Sequence, residues 1–296
     1  MKEPKTIDVL LLILLGAIWG SAFFNIKIAT YTYDPITLVF VRVFFAFMAL
    51  GFYCAYKNIK ILAFSKKWKM YALVGLTNIT IPFLFIAYGT NVVDSYLSAL
   101  LMSTTPLSGT LLAHFFTSNE KLNIFKSIGV LIGFLGVLFL FFDKLVISES
   151  NMFYVIVILC GSTFYVIGGI LTLKFLKNDG NENVSTSTIL WSLIFLFPFC
   201  LYQEPWANLN PSVESTVALI YLGVFPTGIA WMLRFHLLTK VGMVFQTQVA
   251  YLIPIFGIIF GYLIMDEKIT IKVLISLIII IFGIFMVKRG NRGITN

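Results

Sequence analysis

The chain has 296 residues, 59% of them hydrophobic and only 11% charged, with a net charge of +8 and a mean hydropathy of +0.95. Water-soluble domains carry about one quarter charged residues, so a soluble fold of this length is excluded and lipid must be the solvent for most of its surface. The three cysteines lie in apolar runs without metal-ligand spacing, and the two histidines, His114 and His236, are far apart, which argues against a disulfide framework or a metal cluster.

A membrane span needs about 20 apolar residues. Ten segments meet that length: 8–28, 35–56, 70–91, 93–117, 122–142, 151–176, 184–203, 213–238, 241–265 and 270–288. The first apolar run, Val9–Ile28, has no small-residue cleavage site and reads as a transmembrane helix, not a removed signal. It carries Trp19 and Asn25. The second span places Arg42 about 10 Å from its outer end by helical rise, and the third carries Asn78 and Tyr88. The tight connections at Thr90–Val93 and Lys240–Gly242 make antiparallel neighbours. The polar linker Asp143–Ser150 divides the chain into residues 1–146 and 147–296. The sixth span carries Tyr165. Asn178–Asn183 reads as a solvated turn and Gln203–Ser215 as the longest outer loop. In the eighth span Thr227, Trp231 and Arg234 fall at i, i+4 and i+7 and share one helix face.

One stretch occurs twice. Shifting Val93–Phe142 by 148 positions brings Val93 onto Val241, Pro106 onto Pro254 and Gly109 onto Gly257. After one deletion in the second copy, Glu120 meets Glu267, Lys121 meets Lys268 and Gly136 meets Gly283. Repeated hydropathy with an interrupted helix in each half is the mark of a secondary transporter. Five spans per half is an odd number, so the second half is expected to be inverted relative to the first. With the N-terminus in the cytoplasm, sixteen of the 21 Lys and Arg fall on the cytoplasmic side, Arg234 included, four fall outside, and Arg42 is left within a span. That asymmetry places both termini in the cytoplasm. It also assigns the basic charge to an anionic inner leaflet, so membrane lipid is the expected partner and nucleic acid is not.

Three stretches carry a family resemblance: LLGAIWGSAFFNIKIA (Leu14–Ala29), DPITLVFVR (Asp34–Arg42), and the proline-centred fourth span ending in Glu-Lys-Leu. With these the chain resembles the EamA-type transporters of the drug/metabolite transporter superfamily over nearly its whole length. The second half is looser, since Trp191 stands where the repeat would place Arg42. The resemblance implies an all-α carrier of ten transmembrane helices in two inverted five-helix repeats. It implies the bacterial inner membrane and export or exchange of amino acids, metabolites or drugs.

The residues themselves point to a midplane cavity. Proline removes a backbone donor and crowds the carbonyl four residues back, so Pro106 and Pro254 are expected to loosen the carbonyls of Met102 and Ala250. A freed carbonyl in lipid must find a partner or line a cavity. Ser103, Thr104 and Thr105 surround the first proline, and Gln246, Thr247, Gln248 and Tyr251 precede the second. Arg42 is either a clamp for a substrate carboxylate or a structural arginine held by carbonyls; charge at depth favours the bundle interior. Arg234 is either a pathway wall or an interfacial anchor. The expected substrate-binding set is Trp19, Arg42, Asn78, Ser103, Thr104, Pro106, Trp231, Gln248, Tyr251 and Pro254. Glu120 and Glu267 read as turn and capping residues before gate residues.

An enzyme would need a nucleophile–base pair or paired carboxylates at depth, and no HExxH, GxSxG or pair of mid-span acids occurs. No GxxxxGK[ST] occurs either, so neither a cofactor nor ATP drive is implied. The expected activity is secondary-active or exchange transport, export being favoured, of a small molecule such as an amino acid or related metabolite. A passive channel is the alternative.

Overall fold

The computed structural model describes residues 3–93, 95–117, 120–142, 152–202, 211–265 and 271–292. They form helices and turns, with no strand among them. In order the helices are α1 (Thr6–Ala29), α2 (Pro35–Tyr56), α3 (Trp68–Gly75), α4 (Ile81–Val92), α5 (Ser95–Met102), α6 (Thr105–Phe116), α7 (Ile124–Phe141), α8 (Met152–Phe175), α9 (Asn181–Tyr202), α10 (Val213–Leu222), α11 (Ala230–Val241), α12 (Met243–Thr247), α13 (Val249–Met265) and α14 (Ile271–Arg292). A π-helical turn, Leu76–Thr80, joins α3 to α4, and a second, Gly223–Ile229, joins α10 to α11. Seven continuous helical stretches among the described residues are long and apolar enough to cross a membrane, including Trp68–Val92 and Val213–Val241 with their π turns. Large apolar side chains on the outer faces, such as Phe52, Ile278 and Phe285, are exposed. They suit contact with lipid tails, so the chain is an integral, multi-pass membrane protein. The linker Asp143–Ser150 and Glu267 lie outside the described residues.

Local sequence explains where the helices start and break. Asp34 caps α2 by accepting the amides of Ile36 and Thr37 at 2.9 and 3.1 Å, and Pro35 supplies a first turn that needs no amide donor. Asn123 caps α7 and Ser212 caps α10 in the same way. Each π turn precedes or contains a proline. Pro82 crowds the carbonyl of Asn78, inside the first turn, and Pro226 crowds that of Leu222, at the edge of the second. The Thr227 hydroxyl donates to the Leu222 carbonyl at 2.8 Å and so satisfies it.

The segments 93–117 and 241–265 each form two helices instead of one. The first break falls at Ser103–Thr104, and Pro106 stands in the first turn of α6, where a missing amide is harmless. The hydroxyls of Ser103, Thr104 and Thr105 donate to the carbonyls of Leu100, Leu101 and Met102 at 2.5, 2.7 and 2.5 Å. The second break falls at Gln248, six residues before Pro254, which sits inside α13. There the side chains of Thr247 and Gln248 both donate to the Val244 carbonyl, at 3.2 and 3.0 Å. Such side-chain bonds compete with the helical ladder, so the amides and hydroxyls, not Pro254, make this break.

Helix α7 packs along α14, α1 along α13, α2 along α9, and α4 along α8. The first of these contacts is close because it is lined with glycine. A Cβ on Gly129 would stand 2.7 Å from the Gly283 carbonyl oxygen, and one on Gly283 would stand 2.6 Å from the Gly133 nitrogen. Small residues of this kind let helix backbones meet where lipid supplies no hydrophobic drive between them.

At the end of the bundle where α1 begins, polar ties cross between the two halves of the chain. Lys240 Nζ lies 2.6 Å from Asp8, and Lys67 Nζ lies 2.6 Å from Asp179. Glu120, 2% exposed, accepts the amides of Met243 and Val244 at 2.8 and 3.1 Å and so caps α12. Burial raises its pKa above the usual glutamate range, against the pull of the two amides and of nearby Lys126.

Glu120→Ala orphans two buried amides and is expected to lower stability by about 1–3 kcal/mol, read as an earlier melt in detergent. The raised pKa adds a pH signature. The stabilisation that goes with it is complete below the unfolded carboxyl's range and disappears as pH rises through the folded value. The melting-temperature advantage of the parent over Glu120→Gln should therefore shrink with rising pH, and an advantage that grows would contradict this assignment.

Candidate functional site

A cavity lies among α1, α2, α4, α5, α6, α8, α11, α12 and α13. Its wall is mostly aromatic and aliphatic, with Trp19, Phe23, Phe83, Tyr165 and Trp231 among its rings. The polar members are Arg42, Thr105, Arg234, Gln246 and Thr247. Both halves of the chain contribute.

The π turn around Pro226 positions two of these side chains. Its freed Leu222 carbonyl takes the Thr227 hydroxyl, and Thr227 Oγ1 in turn accepts Arg42 Nε at 2.6 Å. The Pro226 carbonyl accepts the Trp19 indole N–H at 2.9 Å. Arg42 is thus held by its inner nitrogen, and among the described residues the two outer nitrogens of its fork make no hydrogen bond. Its guanidinium carbon stands 4.2 Å from the centre of the Phe83 ring.

The aromatic rings continue from there. Phe83 and Trp231 lie 5.8 Å apart, Tyr165 and Trp231 5.9 Å, and Trp19 meets Trp231 edge-on at 5.7 Å. Arg234 closes the row, its guanidinium carbon 4.7 Å from the Trp231 ring centre. Its Nη2 donates to the Tyr165 carbonyl at 3.0 Å, while Nη1 is buried without a partner. Trp231 Nε1 and Gln246 Oε1 are also buried and unpaired. Each desolvated cation–π contact is worth about 2 kcal/mol, which offsets only part of the cost of burying a charge. No carboxylate lines the cavity among the described residues. The site is therefore an electropositive, aromatic pocket with donors waiting. Metal-ligand clusters are absent among the described residues.

Of the ten residues expected to bind substrate, Trp19, Arg42 and Trp231 line this cavity and the other seven do not. The hydroxyls of Ser103 and Thr104 are engaged with backbone carbonyls, and Pro106 is packed into the start of α6. The Tyr251 hydroxyl donates to the Val130 carbonyl at 2.7 Å, and its ring fills the space over Gly133. Gln248 Nε2 is bound to Val244, and Pro254 lies within α13. Asn78 is fully buried against Gly168, with both amide atoms unpaired. Arg234, counted above on the cytoplasmic side, is 2% exposed and belongs to the interior. The reason is length: Val213–Val241 is a 29-residue helix, so a residue seven before its end still lies at depth. Phe83 carries no mark in sequence that separates it from the other 29 phenylalanines. Trp191, in the place expected for a second Arg42, donates to the Ala63 carbonyl and stacks on Trp68.

The model of the EamA-like transporter family matches residues 6–142 and 152–289. An uncharacterized transporter of Bacillus subtilis is 23% identical over 91% of this chain and 92% of its own. An uncharacterized transporter of Buchnera aphidicola is 26% identical over 99% of this chain and 98% of its own. A crystal structure with 14% sequence identity shares the fold, with a TM-score of 0.82 over 99% of this chain and all of that one. With the family model covering nearly its whole length, the chain belongs to the EamA-like transporter family and is a membrane transporter, not an enzyme.

Proposed function

We propose that the protein is a secondary carrier or exchanger, running as an exporter, that moves small carboxylate-bearing metabolites across the bacterial inner membrane. Transport is by alternating access around the aromatic cavity. The observation that carries this reading is the cavity itself. It is walled by both halves of the chain and holds an arginine, Arg42, tethered by Nε with its fork unpaired.

The accompanying architecture is ten spans in two inverted five-helix repeats, residues 1–146 and 147–296, with both termini cytoplasmic. Several observations support it. The two π turns, Leu76–Thr80 and Gly223–Ile229, overlap when the first is shifted by the 148 positions of the sequence repeat. The packing pairs also exchange under that shift: α4 against α8 corresponds to α11 against α1. The family model matches two segments of similar length. In this reading the Asp8–Lys240 pair and the Glu120 cap hold the cytoplasmic end closed, and both must part when the cavity faces inward.

Counterflow in proteoliposomes across amino acids, organic acids and amines tests the carrier. A carrier shows stimulation by substrate on the opposite face, whereas a passive channel shows none. Cysteines placed at Ser65 and Ser212 should label from opposite sides of the membrane; labelling of both from one side would overturn the topology.

Arg42→Lys keeps the charge but loses the fork, and Arg42→Gln loses both. If Arg42 clamps a carboxylate, affinity should fall by about ten- to a hundred-fold in Arg42→Gln, the equivalent of about 1.5–3 kcal/mol, and by less in Arg42→Lys. Thermal stability of the same purified variants separates this from a purely structural arginine, which would lose fold and every ligand together.

A further inference from the structure

We infer that the cavity selects organic acids that combine an aromatic body with a carboxylate and lack an ammonium group, and that it discriminates against the corresponding amino acids. This rests on the reading that the cavity is the substrate site. The argument is one of charge. Two guanidiniums, Arg42 and Arg234, are 7% and 2% exposed, and among the described residues no carboxylate in the wall balances them. The buried acids elsewhere are engaged: Asp8 holds Lys240, and Glu120 holds the amides of α12.

The unpaired atoms point the same way. Arg234 Nη1 and Trp231 Nε1 are donors in need of an acceptor, as a carboxylate would be. On the cavity wall the unpaired buried acceptor is Gln246 Oε1, a neutral amide oxygen suited to a hydroxyl. An α-ammonium would bring a third positive charge into a desolvated space between two guanidiniums, with one amide dipole to meet it. A buried charge without an opposite partner is strongly disfavoured. The rest of the wall accepts an apolar body. The Phe83–Trp231–Tyr165 rings pack 5.8 to 6.3 Å apart, and Trp19 stands edge-on beside them.

The test uses one body with different charges. Phenylpyruvate, phenylalanine, phenethylamine and pyruvate are titrated by calorimetry into the purified full-length protein in lipid nanodiscs. Phenylpyruvate should bind at least ten-fold more tightly than phenylalanine and than pyruvate, with phenethylamine weakest. Arg234→Gln should lose the preference for phenylpyruvate over phenethylamine. The parent's ligand series stands on its own if that variant does not fold. Phenylalanine or phenethylamine binding as tightly as phenylpyruvate would overturn the inference, as would binding of none of the four. Counterflow of the same compounds separates the two readings. Exchange of zwitterions but not of acids ends the charge argument and leaves the carrier standing. Tight binding of the acid without any counterflow leaves the site selective and ends the carrier.

Discussion

Inside a lipid bilayer a carbonyl that loses its helical partner has no water to turn to, and much of this structure follows from that constraint. Several interruptions of a helix come with their own donor. Thr227 supplies one for Leu222 beside Pro226, and Thr105 supplies one for Met102 beside Pro106. In the first π turn the Thr77 hydroxyl donates back to the Leu73 carbonyl of α3 at 2.8 Å. The interruptions are therefore cheap enough to keep, and they are what bend the helices around a cavity. The Pro226 turn does more. Its Thr227 oxygen and its Pro226 carbonyl face inward and orient Arg42 and Trp19.

The same constraint decides which polar groups remain for a ligand. The hydroxyls near the breaks are occupied by backbone, so Thr105 and Thr247 line the wall without offering much to a substrate. The groups left over are those with more donors than the neighbouring backbone takes up. An arginine has five; Arg42 uses one on Thr227, and Arg234 uses one on Tyr165. Aromatic faces then do what counter-ions do elsewhere. Phe83 lies beneath Arg42, and Trp231 beneath Arg234. The result is a positive site whose charge is softened but not cancelled.

Polar ties between the two halves of the chain differ at the two ends. Where α1 begins they include the ion pairs Asp8–Lys240 and Lys67–Asp179 and the Glu120 carboxyl on the amides of α12. Where α1 ends they are hydroxyl bonds, Thr32 to Ser215 and Tyr33 to Thr216 at 3.2 and 3.0 Å.

The sequence by itself determined the membrane class, the extents of most helices and the family, because those depend on composition, on run length and on motifs contiguous along the chain. It marked Trp19, Arg42 and Trp231 as well, since a charge or an indole within an apolar run is conspicuous without any partner in view. Tertiary structure alone decided the rest of the site. Whether the hydroxyls of Ser103 and Thr104 face a ligand or their own carbonyls depends on where the helix breaks, and that is a competition among hydrogen bonds a few residues apart. Whether Arg234 snorkels to the interface or turns inward depends on the length of a helix lengthened by a π turn. Phe83 joins the site only because α4 packs beside α2 and α8, a contact between residues far apart in the chain. Runs, charges and prolines are written in one dimension; the assignment of each donor to one acceptor is made by neighbours that only folding brings together.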